Sequence, residues 1–145
     1  MVEHRTYRAS RKGYIRVVDG IERKTLVFGE KTLLSEFRLE KGTRLPFHKH
    51  PYEQTGYLVS GRLVLIIDGQ RSEMRTGFSW SIPGGIEHGA EILETSVAIQ
   101  VHQARAADNS SLRLGCSTWG SLSMKIRNAP PTNRAEYSAR APKNA

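Results

Sequence analysis

The sequence predicts an all-β chain, a small sandwich or barrel, and three observations carry that prediction. Between Lys12 and Gln103 the runs are short and filled with Val, Ile, Leu, Tyr, Phe and Thr, residues that suit strands. Gly, Pro, Asn and Asp punctuate them at close intervals, as in sandwiches and barrels. No helix-period pattern of useful length precedes residue 104.

The run from Tyr14 to Val18 is the first predicted strand. Thr32 to Leu39 alternates Leu, Glu and Phe and is the second. Gln54 to Val59 and Arg62 to Asp68 follow as separate strands, with Ser60-Gly61 as the tight turn between them. Asp68-Gly69 reads as another hairpin turn. Gly77 to Ile82 and Ser96 to His102 complete the set. The segment Leu63-Val64-Leu65-Ile66-Ile67 is apolar on both alternating faces, whereas a strand with one wet face would alternate. One face fills the interior. The other needs cover, from a second layer of the chain or from a second subunit, so a homodimer is expected.

At about 150 residues per domain, 145 residues make one domain. Its net charge of +8 is uneven. Residues 1–103 hold 15 basic and 12 acidic side chains, whereas residues 104–145 hold 7 and 2. The expected organisation is a flexible arm at 1–12, a barrel at 13–103, and a low-complexity basic tail at 104–145. The tail is rich in Ala, Ser, Asn, Pro and Arg, buries too little apolar surface to offset its backbone entropy, and is expected to be mostly disordered. It carries no nucleic-acid-binding motif, so the charge reads as a solvated tail rather than a nucleic-acid surface. The longest apolar run, Leu63 to Ile67, falls far short of the ~20 residues that span a bilayer. The first residues hold no apolar stretch, and Cys116 is the only cysteine. A soluble cytoplasmic protein without disulfides is expected.

Three of the five histidines fall in two clusters. His48 and His50 are two apart and share a face if they lie on one strand, and Gln54 keeps the same parity. Pro51 is a place for the chain to bend. His88 follows Ile82-Pro83-Gly84-Gly85-Ile86-Glu87, and a strand brought alongside aims it at the same centre. Three imidazole nitrogens and one amide oxygen suit a divalent transition metal: Fe, Mn, Ni, Co or Zn. Glu53 is the competing oxygen donor, but its parity points it away from His50.

These residues resemble the cupin family. Gly42, His48, His50, Gln54 and Gly61 meet every spacing of the first cupin motif, with Gln in place of the usual Glu. Gly77, Pro83, Gly85 and His88 match the second, where Ile92 stands in place of Asn. The resemblance implies a double-stranded β-helix, the cupin jelly-roll barrel, with a metal inside its mouth. It implies that His48, His50, Gln54 and His88 are the metal ligands. The segment His50-Pro51-Tyr52-Glu53-Gln54 is similar to small stand-alone cupins, some of which linearise cyclic keto-uronates. Those enzymes also use an acid on the last strand and an arginine soon after; the positions here are Gln100 and Ala106, with Arg105 adjacent.

Three neutral histidines and a neutral amide leave a 2+ ion uncompensated, so the ion attracts an anionic or enolisable oxygen ligand. That points to isomerisation, ring opening, lyase or dioxygenase chemistry on a small oxygen-rich substrate. The alternative is a non-catalytic small-molecule-binding or sensor barrel. Tyr57, Trp80 and Gln100 are the candidate substrate-pocket residues, and His102 the candidate general base.

Overall fold

The computed structural model describes residues 4–103, so the tail assigned to 104–145, with Arg105 and Ala106, lies outside the described residues. The described chain is all strand: β1 (Ile15–Val18), β2 (Ile21–Phe28), β3 (Thr32–Leu39), β4 (Arg44–His48), β5 (Gln54–Ile67), β6 (Gln70–Arg75), β7 (Ser79–Ile82) and β8 (His88–Gln103). None of it forms a helix long and apolar enough to cross a membrane.

All pairings are antiparallel, and the sheet order is β1-β2-β3-β8-β5-β6, with β4 beside β8 and β7 beside β5. The long strands β5 and β8 pair from Gln54↔His102 to Ile67↔His88. Each half of this ribbon serves a different leaf. The early half of β5 borders β7 and the late half borders β6. The early half of β8 borders β4 and the late half borders β3. Folding the ribbon at its middle lays one leaf over the other. The core between them combines Phe37, Leu39, Leu58 and Ala98 with Leu63, Leu65, Met74 and Ile92. Each large side chain buried in this way stabilises the fold by roughly 1.5–3 kcal/mol.

Two expectations are corrected. Ser60-Gly61 is not a hairpin turn: β5 runs unbroken through it, with register shifts between Leu58 and Leu63. Gly61 has φ 92°, and a Cβ there would stand 2.2 Å from Ser96 Oγ and 2.6 Å from the Thr95 carbonyl oxygen. The glycine thus lets β5 press against β8 and bend, not reverse. Asp68-Gly69, by contrast, is the β5–β6 hairpin, with φ of 50° and 77° at the two positions. Secondly, Val64 and Ile66 do not wait for a second subunit, since they are 0% and 6% exposed within the single chain. Phe47 packs against Gly89, the cross-strand partner of Ile66. The Arg71–Glu91 ion pair joins the strands on either side of β5 over the same face. That removes this ground for expecting a dimer.

The arm before β1 has no regular structure in its described part. It is tied to the outer face of β2, where Lys24 Nζ donates to the Ser10 carbonyl at 2.7 Å and the Arg5 guanidinium lies 4.9 Å from the Phe28 ring centre.

Candidate metal centre

His48 is the last residue of β4, His88 the first of β8, and the two are cross-strand partners. Residues 49–53 belong to no strand, and β5 begins at Gln54. The shared-face parity of one strand therefore does not bring His48, His50 and Gln54 together. A loop does. The Gly85 N–H donates to the His50 carbonyl at 2.7 Å, pinning this loop to the turn that precedes β8. Gly84 makes room, since a Cβ there would stand 2.4 Å from the Pro51 carbonyl oxygen.

The ligating atoms of His48, His50 and His88 all lie within 4.8 Å of one another. Their ring centroids are 4.3 Å apart for His48–His88, 5.0 Å for His50–His88 and 6.0 Å for His48–His50. Each ring donates its Nδ1–H to a nearby backbone carbonyl: His48 to Pro46 at 2.8 Å, His50 to Tyr52 at 2.7 Å, His88 to Ile86 at 2.9 Å. That fixes the tautomer, so every Nε2 presents a lone pair. His88 Nε2 is buried with no hydrogen-bond partner among the described residues. His50 Nε2 faces Gln54 Oε1 at 2.8 Å. Three imidazoles whose ligating atoms converge, with an amide oxygen beside one of them, fit a metal ion. Burial holds the His48 pKa below its ordinary value. Burial, with His48 beside it, lowers that of His88 to about 4. Both rings therefore stay neutral, and able to ligate, near neutral pH.

Gln54 is 5% exposed and projects inward, whereas Glu53 is exposed and accepts from Ser81 Oγ at 3.5 Å. The amide, and not the carboxylate, stands beside the imidazoles.

A family model described as Cupin domain matches residues 35–113, more than half of the chain. The chain is a cupin. It is 28% identical over 92 residues to the pectin degradation protein KdgF of Dickeya dadantii (strain 3937), covering 62% of this chain and 84% of that one. Among solved structures, KdgF from Halomonas sp. aligns with TM-score 0.63 and 25% identity, over 68% of this chain and 91% of that one. An RmlC-like cupin from Shewanella frigidimarina NCIMB 400 aligns with TM-score 0.66 over 74% and 96%; at 22% identity it shows the fold.

The remaining sequence-derived residues of this cupin divide by the face they occupy. Ala98, Gln100 and His102 alternate along β8 with Ala98 buried in the core, so Gln100 and His102 line the interior. His102 is the cross-strand partner of Gln54, which puts it in the same row. Trp80 pairs with Gly56 on the interior face and packs against the core. Tyr57 is different: it has the opposite parity to Gln54 and Leu58 and is 47% exposed, so the structure does not bring it to the cluster.

Sequence reasoning passed over Tyr52. Its ring stacks on His50 at 4.2 Å and on His102 at 5.1 Å, forming an aromatic column beside the three histidines. The signal was an aromatic two residues after His50, in a loop held by Pro51. A cavity of about 980 Å³ lies elsewhere, between the arm and the outer face of β2 and β3, lined by Tyr7, Arg11, Lys24 and Arg38 among others. None of the three clustered histidines lines it, so it is separate from this centre.

Proposed function

We propose that this cupin is a metal-dependent enzyme in which His48, His50, His88 and Gln54 hold a divalent transition metal. Its substrate is a small, oxygen-rich, anionic or enolisable molecule. The observation that carries the reading is the convergence of three Nε2 lone pairs with Gln54 Oε1 at 2.8 Å from His50.

A bound divalent ion supplies Lewis acidity to a coordinated oxygen. The chain's own residues set what reaches it. The four donors are neutral, so the site favours a carboxylate or enolate oxygen over a neutral one. His102 lies in the row of Gln54, and the Tyr52 ring stacked on both His102 and His50 fixes its orientation. In this reading it accepts or returns a proton at a carbon next to a carbonyl. Relatives that act in pectin degradation support uronates, the acidic sugars of that polymer, as the first class to try. Gln100 at the last-strand position cannot serve as the acid that keto-uronate-linearising cupins use there, so in this reading proton transfer falls to His102.

The test is metal content and turnover together. Protein purified without added metal, or reconstituted, is expected to hold close to one transition-metal ion and to convert one member of a panel of keto-uronates, β-diketones and flavonols. Metal content below ~0.2 equivalents with no gain on reconstitution would refute the centre. Tight binding without turnover of any panel member would support the non-catalytic ligand-binding reading instead.

A further inference from the structure

The cavity of about 980 Å³ beneath the arm is open space with charged walls, and the three clustered histidines take no part in it. Its floor is the outer face of β2 and β3. Leu33, Ser35, Phe37 and Leu39 turn inward, so Glu36 and Arg38 turn outward, and Lys24 stands opposite Glu36 in the register. Its roof is the arm, residues 7–12. The bond from Lys24 Nζ to the Ser10 carbonyl and the Arg5 guanidinium over Phe28 hold roof to floor.

The charge of the walls is one-sided. Arg8, Arg11 and Lys12 come from the arm, Lys24 and Arg38 from the sheet, and Glu36 is the single carboxylate among the described lining residues. That carboxylate is already engaged: the Tyr14 hydroxyl donates to it at 2.5 Å, and Arg38 Nε lies 3.5 Å away. Burial, with Glu36 beside it, holds the Tyr14 pKa above its ordinary value, so the phenol adds no negative charge. Arg8, Arg11 and Lys12 are exposed and have no further lining carboxylate to meet. Like charges on two facing walls repel, and an anion between them offsets that repulsion.

A cavity of this volume lies at the upper end of the roughly 300–1,000 Å³ of small-molecule sites. The Tyr7 ring, 61% exposed, and Phe28 add apolar surface to its lining. We propose that the cavity is a second ligand site that takes an organic polyanion, a small molecule with at least two phosphate or carboxylate groups, between Arg8 and Arg11 of the arm and Lys24 of the sheet. Cations on both walls favour two anionic groups over one. The forked guanidinium pairs with phosphate and carboxylate oxygens alike. The site does not need the metal ion.

The experiment is calorimetric titration of the full chain with ATP, trigalacturonate and the neutral trisaccharide maltotriose. At least one of the two polyanions should bind, one molecule per chain, and maltotriose should not. Preference for ATP identifies a phosphate ligand, preference for trigalacturonate a carboxylate one, and either supports the site. The double variant Arg8→Gln/Arg11→Gln should weaken the bound polyanion roughly tenfold or more. Arg16→Gln/Arg44→Gln, an equal loss of charge elsewhere on the chain, should leave its affinity unchanged. Equal losses in the two double variants would reduce the binding to diffuse charge and overturn the site, as would binding of neither polyanion. A last titration follows treatment with the neutral chelator phenanthroline. Unchanged affinity supports a site apart from the histidines, whatever becomes of the metal-centre reading. Affinity lost with the metal would place the anion at that centre and overturn the second site alone.

Discussion

The same two strands build two surfaces with opposite polar logic. On the outer face, β5 and early β8 and their neighbours β4 and β6 carry charges that answer one another: Arg71 Nη2 lies 2.5 Å from Glu91, Arg44 3.7 Å from Glu91, and Arg62 3.6 Å from Glu73. Beneath them Val64 is fully buried. At the mouth, His88 Nε2, Ser35 Oγ and Trp80 Nε1 are buried and have no hydrogen-bond partner among the described residues. A polar group satisfied internally holds the fold. One left unsatisfied in a packed core costs its desolvation, and at the proposed metal centre a bound ion would offset that cost. Stability at the mouth should therefore depend on a ligand, and stability at the outer face on pH.

Metal removal is the largest expected effect. An ion present at about 100 times its Kd stabilises by ~2.7 kcal/mol, which is roughly 10–20 °C of Tm for a folded body of this size. Adding a chelator should lower the melting temperature by that order. His88→Ala should melt where the chelated parent does and ignore the chelator. Arg71→Met should keep the whole chelator response. A His88→Ala protein whose melting still falls on chelation would break the contrast between the two surfaces.

The next effect concerns the charge at the centre. Gln54→Glu places an anion where the native donor is neutral, and metal affinity should rise on the order of tenfold. The same change should weaken binding of carboxylate ligands, because part of the ion's charge is already cancelled. Competition against a chromogenic chelator reads the first, and titration with galacturonate the second. Unchanged metal affinity would mean that Gln54 only hydrogen-bonds its neighbours.

The histidine side of this contrast was legible in the sequence, and the gaps elsewhere have physical causes. The candidate metal set could be read because a loop and three strand ends place His48, His50, Gln54 and His88 at fixed sequence offsets. β6 could not: Gln70–Arg75 is almost entirely polar, with Met74 its only fully buried residue, so it shows no alternation to read. β2 opens Ile-Glu-Arg-Lys and hides its strand character behind charge. Ser60-Gly61 looked like a turn because a glycine that permits a bulge and one that permits a reversal have the same letter. Val64 and Ile66 looked bare because their cover is assembled from Arg71, Glu91 and Phe47, residues far apart in the chain. The unpartnered Ser35 and Trp80 could be found only from registers.

The smallest effect belongs to the outer face. The Arg71 guanidinium, hydrogen-bonded to Glu91, holds the Glu91 carboxyl below its usual pKa of 4.5. A depressed carboxylate stabilises the fold above its unfolded pKa and loses that contribution as pH falls through its folded one. The side chains are 40% and 22% exposed, so solvent screens the pair and its worth is about 0.5–1 kcal/mol. Arg71→Met should therefore lower Tm by a few degrees at pH 7, while its methylene stem still covers Val64 and Ile66. Below pH 4.5 the unfolded state protonates first, and the gap between variant and parent should close as pH falls on through the lowered pKa of the folded state. A gap that stays constant from pH 7 to pH 3 would show that Arg71 acts as apolar cover and not as a charge. The outer face would then resemble an ordinary core, and the polar contrast with the mouth would rest on the mouth alone.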